Sequence, residues 1–226
     1  MDVQERRGND GSGLSRRDLL RRAGLVGIAA AVPVSATAST AAPAPEREAR
    51  ETFTAAEMDA VEAFVDRLIP SDASGPGAAE ARVARYVDRA LNGDLAASRP
   101  AYRTGLAALD SWSRTRFGNE FADLTDAQQD AILTDLETNV ATGFTPNSRT
   151  FFDLVREHAL QGMFGDPYHG GNVNFVGWDL LGFPGVKLGF GPAEQQLDVV
   201  VVPAHKSTVD YPMFSGARGK GASHAH

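Results

Sequence analysis

The chain has 226 residues, of which 42% are hydrophobic, and its formal net charge is −7. This composition can supply a packed core and excludes wholesale disorder. The negative charge disfavours nucleic acid as a partner, because phosphate binding needs a basic face. The sequence contains no cysteine, which excludes disulfides, thiolate nucleophiles, cysteine-ligated zinc, iron–sulfur clusters and attached c-type haem.

The amino-terminal residues have the order of parts that is typical of a twin-arginine signal peptide. A polar stretch is followed by Arg16 and Arg17, then by an alanine-rich apolar stretch that is too short for a membrane span of about 20 residues. Ala36-Thr37-Ala38 and Ala42-Pro43-Ala44 both fit a signal peptidase. We predict a signal peptide over residues 1–38 and export by the twin-arginine translocase to the periplasm or the outer face of the cytoplasmic membrane. The alternative is a basic helix with an incidental arginine pair.

Residues 39–51 are rich in alanine and proline, which predicts a flexible linker. A first helix is predicted to begin at the capping box of Thr54 and Glu57 and to end at Pro70. After a glycine- and proline-rich loop, a second amphipathic helix is predicted from Val83 to a stop at Gly93.

Three more amphipathic helices follow, and each has its own boundary signals. The third is predicted from near Ser98 to Gly118, and the fourth begins at a capping box at Thr125 and carries Val140 among its apolar positions. The fifth is predicted over residues 148–164. Five amphipathic helices joined by short connections predict a single all-α, bundle-like domain.

The composition changes after Gly165, where glycine, proline and aromatic residues become dense. We predict a long ordered loop over residues 166–191 with one short helical turn, and then a short strand or an extended segment at 197–202. The helical domain is thus predicted to cover residues 52–203, and residues 204–226 are predicted to be a carboxy-terminal tail.

A search for catalytic motifs finds no dinucleotide-binding motif, nucleophile elbow or P-loop. His158, Asp166 and His169 could bind a metal or act as acid and base. However, two histidines eleven residues apart have no established ligand spacing, and His158 is placed to cap the end of a helix. We predict no catalytic, cofactor-binding or metal-binding residue on this chain. A free-standing exported enzyme or metal-binding protein that uses these three residues remains the alternative.

The glycine- and aromatic-rich segment has two interpretations. It either packs on its own helices and closes the bundle, or presents aromatic anchors to another protein. The candidate residues for either role are His158, Asp166, Pro167, Tyr168, His169, Gly170, Gly171, Asn172, Trp178, Phe183 and Pro184.

Two blocks of sequence resemble the gluconate 2-dehydrogenase subunit 3 family, over about residues 52–190. The first block runs from Phe53-Thr54 through Asp66-Arg67-Leu68-Ile69-Pro70 to Tyr86-Val87-Asp88. The second and more specific block runs from Phe151-Phe152 through Gly170-Gly171-Asn172 to Gly182-Phe183-Pro184-Gly185. The chain departs from the family pattern at His169, where a tyrosine is expected.

The resemblance implies a small, non-catalytic accessory subunit of a periplasmic sugar or sugar-acid dehydrogenase. In such complexes FAD and catalysis belong to a large flavin-dependent, GMC-type partner subunit, and a multihaem cytochrome c often carries haem c as a third subunit. The small subunit is taken to escort its folded partner through the twin-arginine pathway and to stabilise it. An exported binding protein with a different partner is a further alternative.

Overall fold

The computed structural model describes residues 49–196, 199 and 201–215, and within them the fold is all-α with no β-strand. The predicted all-α class is therefore confirmed. Arg16 and Arg17, the rest of the predicted signal and most of the linker lie outside the described residues. The helices are α1 (Ala55–Leu68), α2 (Val83–Leu91), α3 (Arg99–Phe117), α4 (Asp126–Glu137), α5 (Ser148–Phe164), α6 (Val176–Leu181) and α7 (Pro212–Ser215).

Both predicted capping boxes form. In the first, the Glu57 amide donates to Thr54 Oγ1 at 3.3 Å, and the Thr54 amide donates to Glu57 Oε2 at 2.8 Å. In the second, the Thr125 amide donates to the side-chain oxygen of Gln128 at 3.0 Å. These bonds satisfy amides that have no partner within the helix, and they fix where α1 and α4 begin.

The prediction that α4 carries Val140 inward is wrong, because the helix ends at Glu137 and Val140 is 57% exposed. Asn139 adopts a left-handed backbone conformation with φ of 61°, and the amides of Val140 and Ala141 both turn back to the Asp135 carbonyl. This turn closes the helix end before the apolar periodicity of the sequence ends. The described residues of the 197–202 stretch are not in a strand.

Helix α5 is the central element of the domain, because it packs against each of α1 to α4 and also against α6. Its Phe151 and Phe152 lie within 6.2 Å, ring centroid to centroid, of Phe64 on α1. Gly105 on α3 leaves room for the Phe151 ring, since a Cβ there would collide with it. No helix within the described ranges is long and apolar enough to cross a membrane.

The amino-terminal end of the domain is held by one buried carboxylate. Asp88 on α2 is fully buried and accepts hydrogen bonds from the backbone amides of Glu51, Thr52 and Phe53 at 2.7–2.8 Å. The guanidinium of Arg85 donates a fourth bond at 2.9 Å. The chain is therefore tied to α2 at the point where the predicted linker ends.

Candidate functional site

Most of the candidate residues lie in residues 165–186, here called the loop segment, and Asn172 fixes this segment to the end of α5. The Asn172 side chain is fully buried; its Nδ2 donates to the Gly165 carbonyl and its Oδ1 accepts from the Gly177 amide, both at 2.8 Å. Asn172 has a φ of 46°, in the left-handed region that asparagine tolerates better than most residues. One side chain thus joins the end of α5 to the start of α6.

Trp178 on α6 packs against the bundle instead of facing solvent. Its Nε1 donates to the Phe164 carbonyl at 2.8 Å, and only 5% of the residue is exposed. Phe175 and Phe183 flank the indole with ring centroids 5.5 and 4.8 Å away. The indole N–H is therefore satisfied within the fold, whereas Phe183 keeps an exposed face.

Three glycines allow the loop segment to lie directly on α5. A Cβ at Gly171 would collide with the Gly162 carbonyl, and one at Gly177 would collide with the Met163 carbonyl. Gly170 has a φ of 98°, which residues with side chains rarely adopt. The glycines of this segment are therefore required by close backbone packing and turn geometry.

Asp166 joins the loop segment to residues 204–211, here called the returning segment. Its carboxylate accepts hydrogen bonds from the Tyr168 amide at 3.0 Å, from Ser207 Oγ at 2.5 Å, and from the amide and hydroxyl of Thr208 at 2.9 and 2.8 Å. Burial by itself would raise the pKa of Asp166, but these hydrogen bonds outweigh it and hold the pKa below its ordinary value.

The returning segment makes further bonds to the loop segment along its length. The Ala204 amide donates to the Pro184 carbonyl at 2.8 Å, and the Val186 amide donates to the Lys206 carbonyl at 3.0 Å. The His205 ring stacks on Phe175 with centroids 5.1 Å apart. Residues 204–211, which were predicted to lie in the carboxy-terminal tail, are thus hydrogen-bonded to the candidate site. Only the capping pair Ser207 and Asp210 could have indicated structure there.

The three residues of the metal or acid–base alternative have separate surroundings. His158 is buried in the core, where its Nδ1 lies 3.1 Å from the Tyr102 hydroxyl and its ring stacks on Tyr102. The interpretation of His158 as a helix cap is therefore wrong, and burial lowers its pKa, which favours the neutral imidazole. Asp166 is engaged by the returning segment, and His169 is exposed. No three histidine or carboxylate side chains among the described residues are grouped to hold a metal ion.

Exposed apolar side chains are concentrated after α5. Eleven large hydrophobic residues in the described ranges are exposed, and nine of them follow residue 179. Where exposed apolar side chains form one contiguous patch, they mark a surface that contacts another protein. The nine are Leu180, Leu181, Phe183, Leu188, Phe190, Val199, Val202, Met213 and Phe214.

The fold and the loop segment define a class of protein: an all-α domain in which the polar and aromatic side chains of the loop segment are mostly used in packing, and in which most exposed large apolar residues follow residue 179. The chain belongs to the gluconate 2-dehydrogenase subunit 3 family, whose model matches residues 55–185. The resemblance in the two sequence blocks is thereby confirmed, and the family is that of an accessory subunit of a multi-subunit dehydrogenase. No curated protein and no solved structure matches the chain significantly.

We expect the bonds to Asp166 to make stability depend on pH in the acid range. Because the pKa is lowered in the fold, the contribution is complete above the ordinary value of about 3.9 and is lost as pH falls through the folded-state value. Asp166→Asn should lower the thermal unfolding midpoint at neutral pH, and the gap to wild type should narrow towards pH 3. An Asp94→Asn control, at an exposed carboxylate, should follow wild type throughout. A gap that is constant with pH would contradict this origin of the stability.

Proposed function

We propose that this chain is a non-catalytic small subunit of a periplasmic, flavin-dependent sugar or sugar-acid dehydrogenase, and that it escorts and stabilises the catalytic subunit. The observation that carries the proposal is membership of the subunit 3 family. The use of the loop-segment polar groups in packing supports it, because Asn172, Asp166 and the Trp178 indole each find their partners within the fold. The nine exposed apolar residues after residue 179 support a protein partner.

In this proposal the chemistry belongs to other chains. A large, GMC-type subunit binds FAD and oxidises the substrate, and a multihaem cytochrome c, where the complex has one, passes electrons on. This chain supplies the export signal of the complex, since Arg16 and Arg17 would engage the twin-arginine translocase. The complex would then work in the periplasm or at the outer face of the cytoplasmic membrane.

The way the predicted signal and linker are joined to the folded domain supports an escort role for this chain. The backbone amides of residues 51–53 are held by the buried carboxylate of Asp88, so that the folded part of the chain begins directly after the predicted linker. A signal placed ahead of this point is joined to a fixed element of the fold. Any partner bound to the folded domain would then travel with the signal.

Purification from the source cells through a tag on this chain tests the proposal. We expect a larger chain with flavin absorbance to co-purify from the periplasmic fraction. Replacing Arg16 and Arg17 by lysine should remove most of the dehydrogenase from that fraction, while the complex still forms in the cytoplasm. The matched control replaces Arg6 and Arg7, which lie in the same leader, and it should leave export unchanged. A chain that purifies alone, or a dehydrogenase that is exported normally without it, would overturn the proposal.

A further inference from the structure

An open cleft of about 310 Å³ lies between the end of α2 and the turn that follows α5. Its volume is at the low end of ligand-binding sites and gives room for one or two side chains. The lining residues are Tyr86, Arg89, Ala90, Gly93, Asp94, Leu95, Gln161, Tyr168 and His169.

The bonds around Asp166 build one wall of this cleft. The carboxylate caps the turn of residues 167–169 through the Tyr168 amide, and the returning segment holds the carboxylate in turn. Gly170 closes the turn with its left-handed backbone and lies against the Arg89 side chain. On the other wall, the Tyr86 hydroxyl donates to Gln161 at 3.1 Å. Both walls are therefore fixed by contacts within the chain.

Among the described residues, the arginine in this cleft has no carboxylate partner. Arg89 is exposed, and its guanidinium forms no ion pair or hydrogen bond with another residue of the described structure. Arg85, one turn earlier on α2, binds Glu51 and Asp88 at 3.0 and 2.9 Å. His169, which is exposed, and Tyr168 line the same cleft. These groups together favour a carboxylate, which a guanidinium binds with two parallel hydrogen bonds.

Asp94 is the one acidic side chain among the lining residues. Burial and, after it, the charge of Asp94 raise the pKa of Tyr86, which lines the same cleft. Arg89 instead lies against Gly170. A carboxylate bound by Arg89 would be attracted by the guanidinium and opposed by the charge of Asp94.

We propose that this cleft is a socket for an aspartate or glutamate side chain of the dehydrogenase partner, with Arg89 as its main contact. The inference rests on the proposed function. Arginine and tyrosine are the residue types that carry most binding energy in protein interfaces, and this cleft combines one arginine with two tyrosines. A cleft that is open to solvent suits a side chain presented by another protein better than a substrate that must be enclosed.

The test compares charge reversal at two exposed arginines, neither of which has an ion-pair partner among the described residues: Arg89 in the cleft, and Arg103 on α3 outside it. With the tagged chain purified from the source cells, Arg89→Glu should lower the flavin bound per chain by about tenfold or more. Arg103→Glu should stay within about twofold of wild type. Arg89→Lys should be intermediate, since lysine keeps the charge but loses the planar fork, and Asp94→Asn should equal or exceed wild type. Thermal melts of the purified variants should show that all of them fold.

The outcomes separate the two proposals. A wild-type chain that retains no flavoprotein overturns the proposed function and the socket with it. A retained flavoprotein with equal losses in Arg89→Glu and Arg103→Glu overturns the socket alone. Acetate is the probe for a free acid: saturable NMR shifts of the cleft residues with acetate, together with unchanged flavoprotein retention in Arg89→Glu, would assign the site to a small carboxylate and overturn the partner side chain.

Discussion

Replacing Asp88 by asparagine is expected to lower the free energy of unfolding by about 3 kcal/mol. Each carboxylate oxygen accepts two N–H groups: Oδ1 from Thr52 and Phe53, and Oδ2 from Glu51 and Arg85. In either orientation an asparagine amide would turn its own N–H groups towards two of these donors. Because Asp88 is fully buried, no water can restore the lost bonds.

The size of this loss can be measured by urea unfolding of the purified chain. A loss of this size is a large fraction of the stability of an ordinary domain, which is about 5–15 kcal/mol. The Asp94→Asn control removes an exposed carboxylate from the turn that follows the same helix, and it should change stability by less than about 0.5 kcal/mol. Equal effects of the two substitutions would show that the bonds from residues 51–53 to Asp88 do not contribute to stability.

Replacing Gly177 by alanine is expected to destabilise the domain by about 3 kcal/mol, although helix propensity alone would favour alanine by about 1 kcal/mol. The new Cβ would collide with the carbonyl of Met163, a backbone atom of α5 next to a fully buried side chain. Because the Met163 carbonyl belongs to the backbone of α5 and cannot move aside, α6 must move away from α5. That movement would break the hydrogen bonds that the Gly177 amide donates to Asn172 and that the Trp178 indole donates to Phe164.

Urea unfolding monitored by tryptophan fluorescence would detect both the loss of stability and the movement of α6 away from α5. The unfolding midpoint should fall, and the emission of the folded state should shift to the red as the Trp178 indole becomes hydrated. Gly189→Ala is the matched control, because a Cβ there meets nothing within 4 Å and its φ lies outside the left-handed region; it should be within about 0.5 kcal/mol of wild type. An unchanged midpoint in Gly177→Ala would mean that α6 does not depend on close contact with α5.

The helices could be predicted because their signals are local. Capping boxes at Thr54 and Thr125 and apolar spacing on each helix depend only on residues a few positions apart. The prediction that Val140 belongs to the fourth helix failed, because the apolar spacing in the sequence continues beyond the end of α4. The backbone turn at Asn139 decided that boundary, and asparagine is compatible with both a helix and a left-handed turn.

The candidate site was harder to predict, since its bonds join residues far apart in sequence. Asp166 was considered as a possible metal ligand or acid–base group, yet its partners Ser207 and Thr208 lie 41 and 42 positions away in a stretch that was predicted to be tail. His158 was expected to cap a helix end, but its partner is Tyr102, 56 positions earlier. No periodic pattern in the sequence predicts such long-range contacts, because each of these polar side chains could equally have been exposed to water.

By itself, the sequence determined the all-α class, most helix boundaries and the family, because amphipathic periodicity, end signals and the two sequence blocks are properties of order along the chain. Only the tertiary structure decided which residues of the loop segment are used in packing and which remain available for a partner. Trp178 is buried and Phe183 is exposed, although both are aromatic residues of one segment. The difference comes from the approach of α6 to α5, which the glycines permit and which brings the indole N–H to the Phe164 carbonyl. Arg89 and His169 likewise come to line one cleft only once α2 and the turn after α5 are packed together.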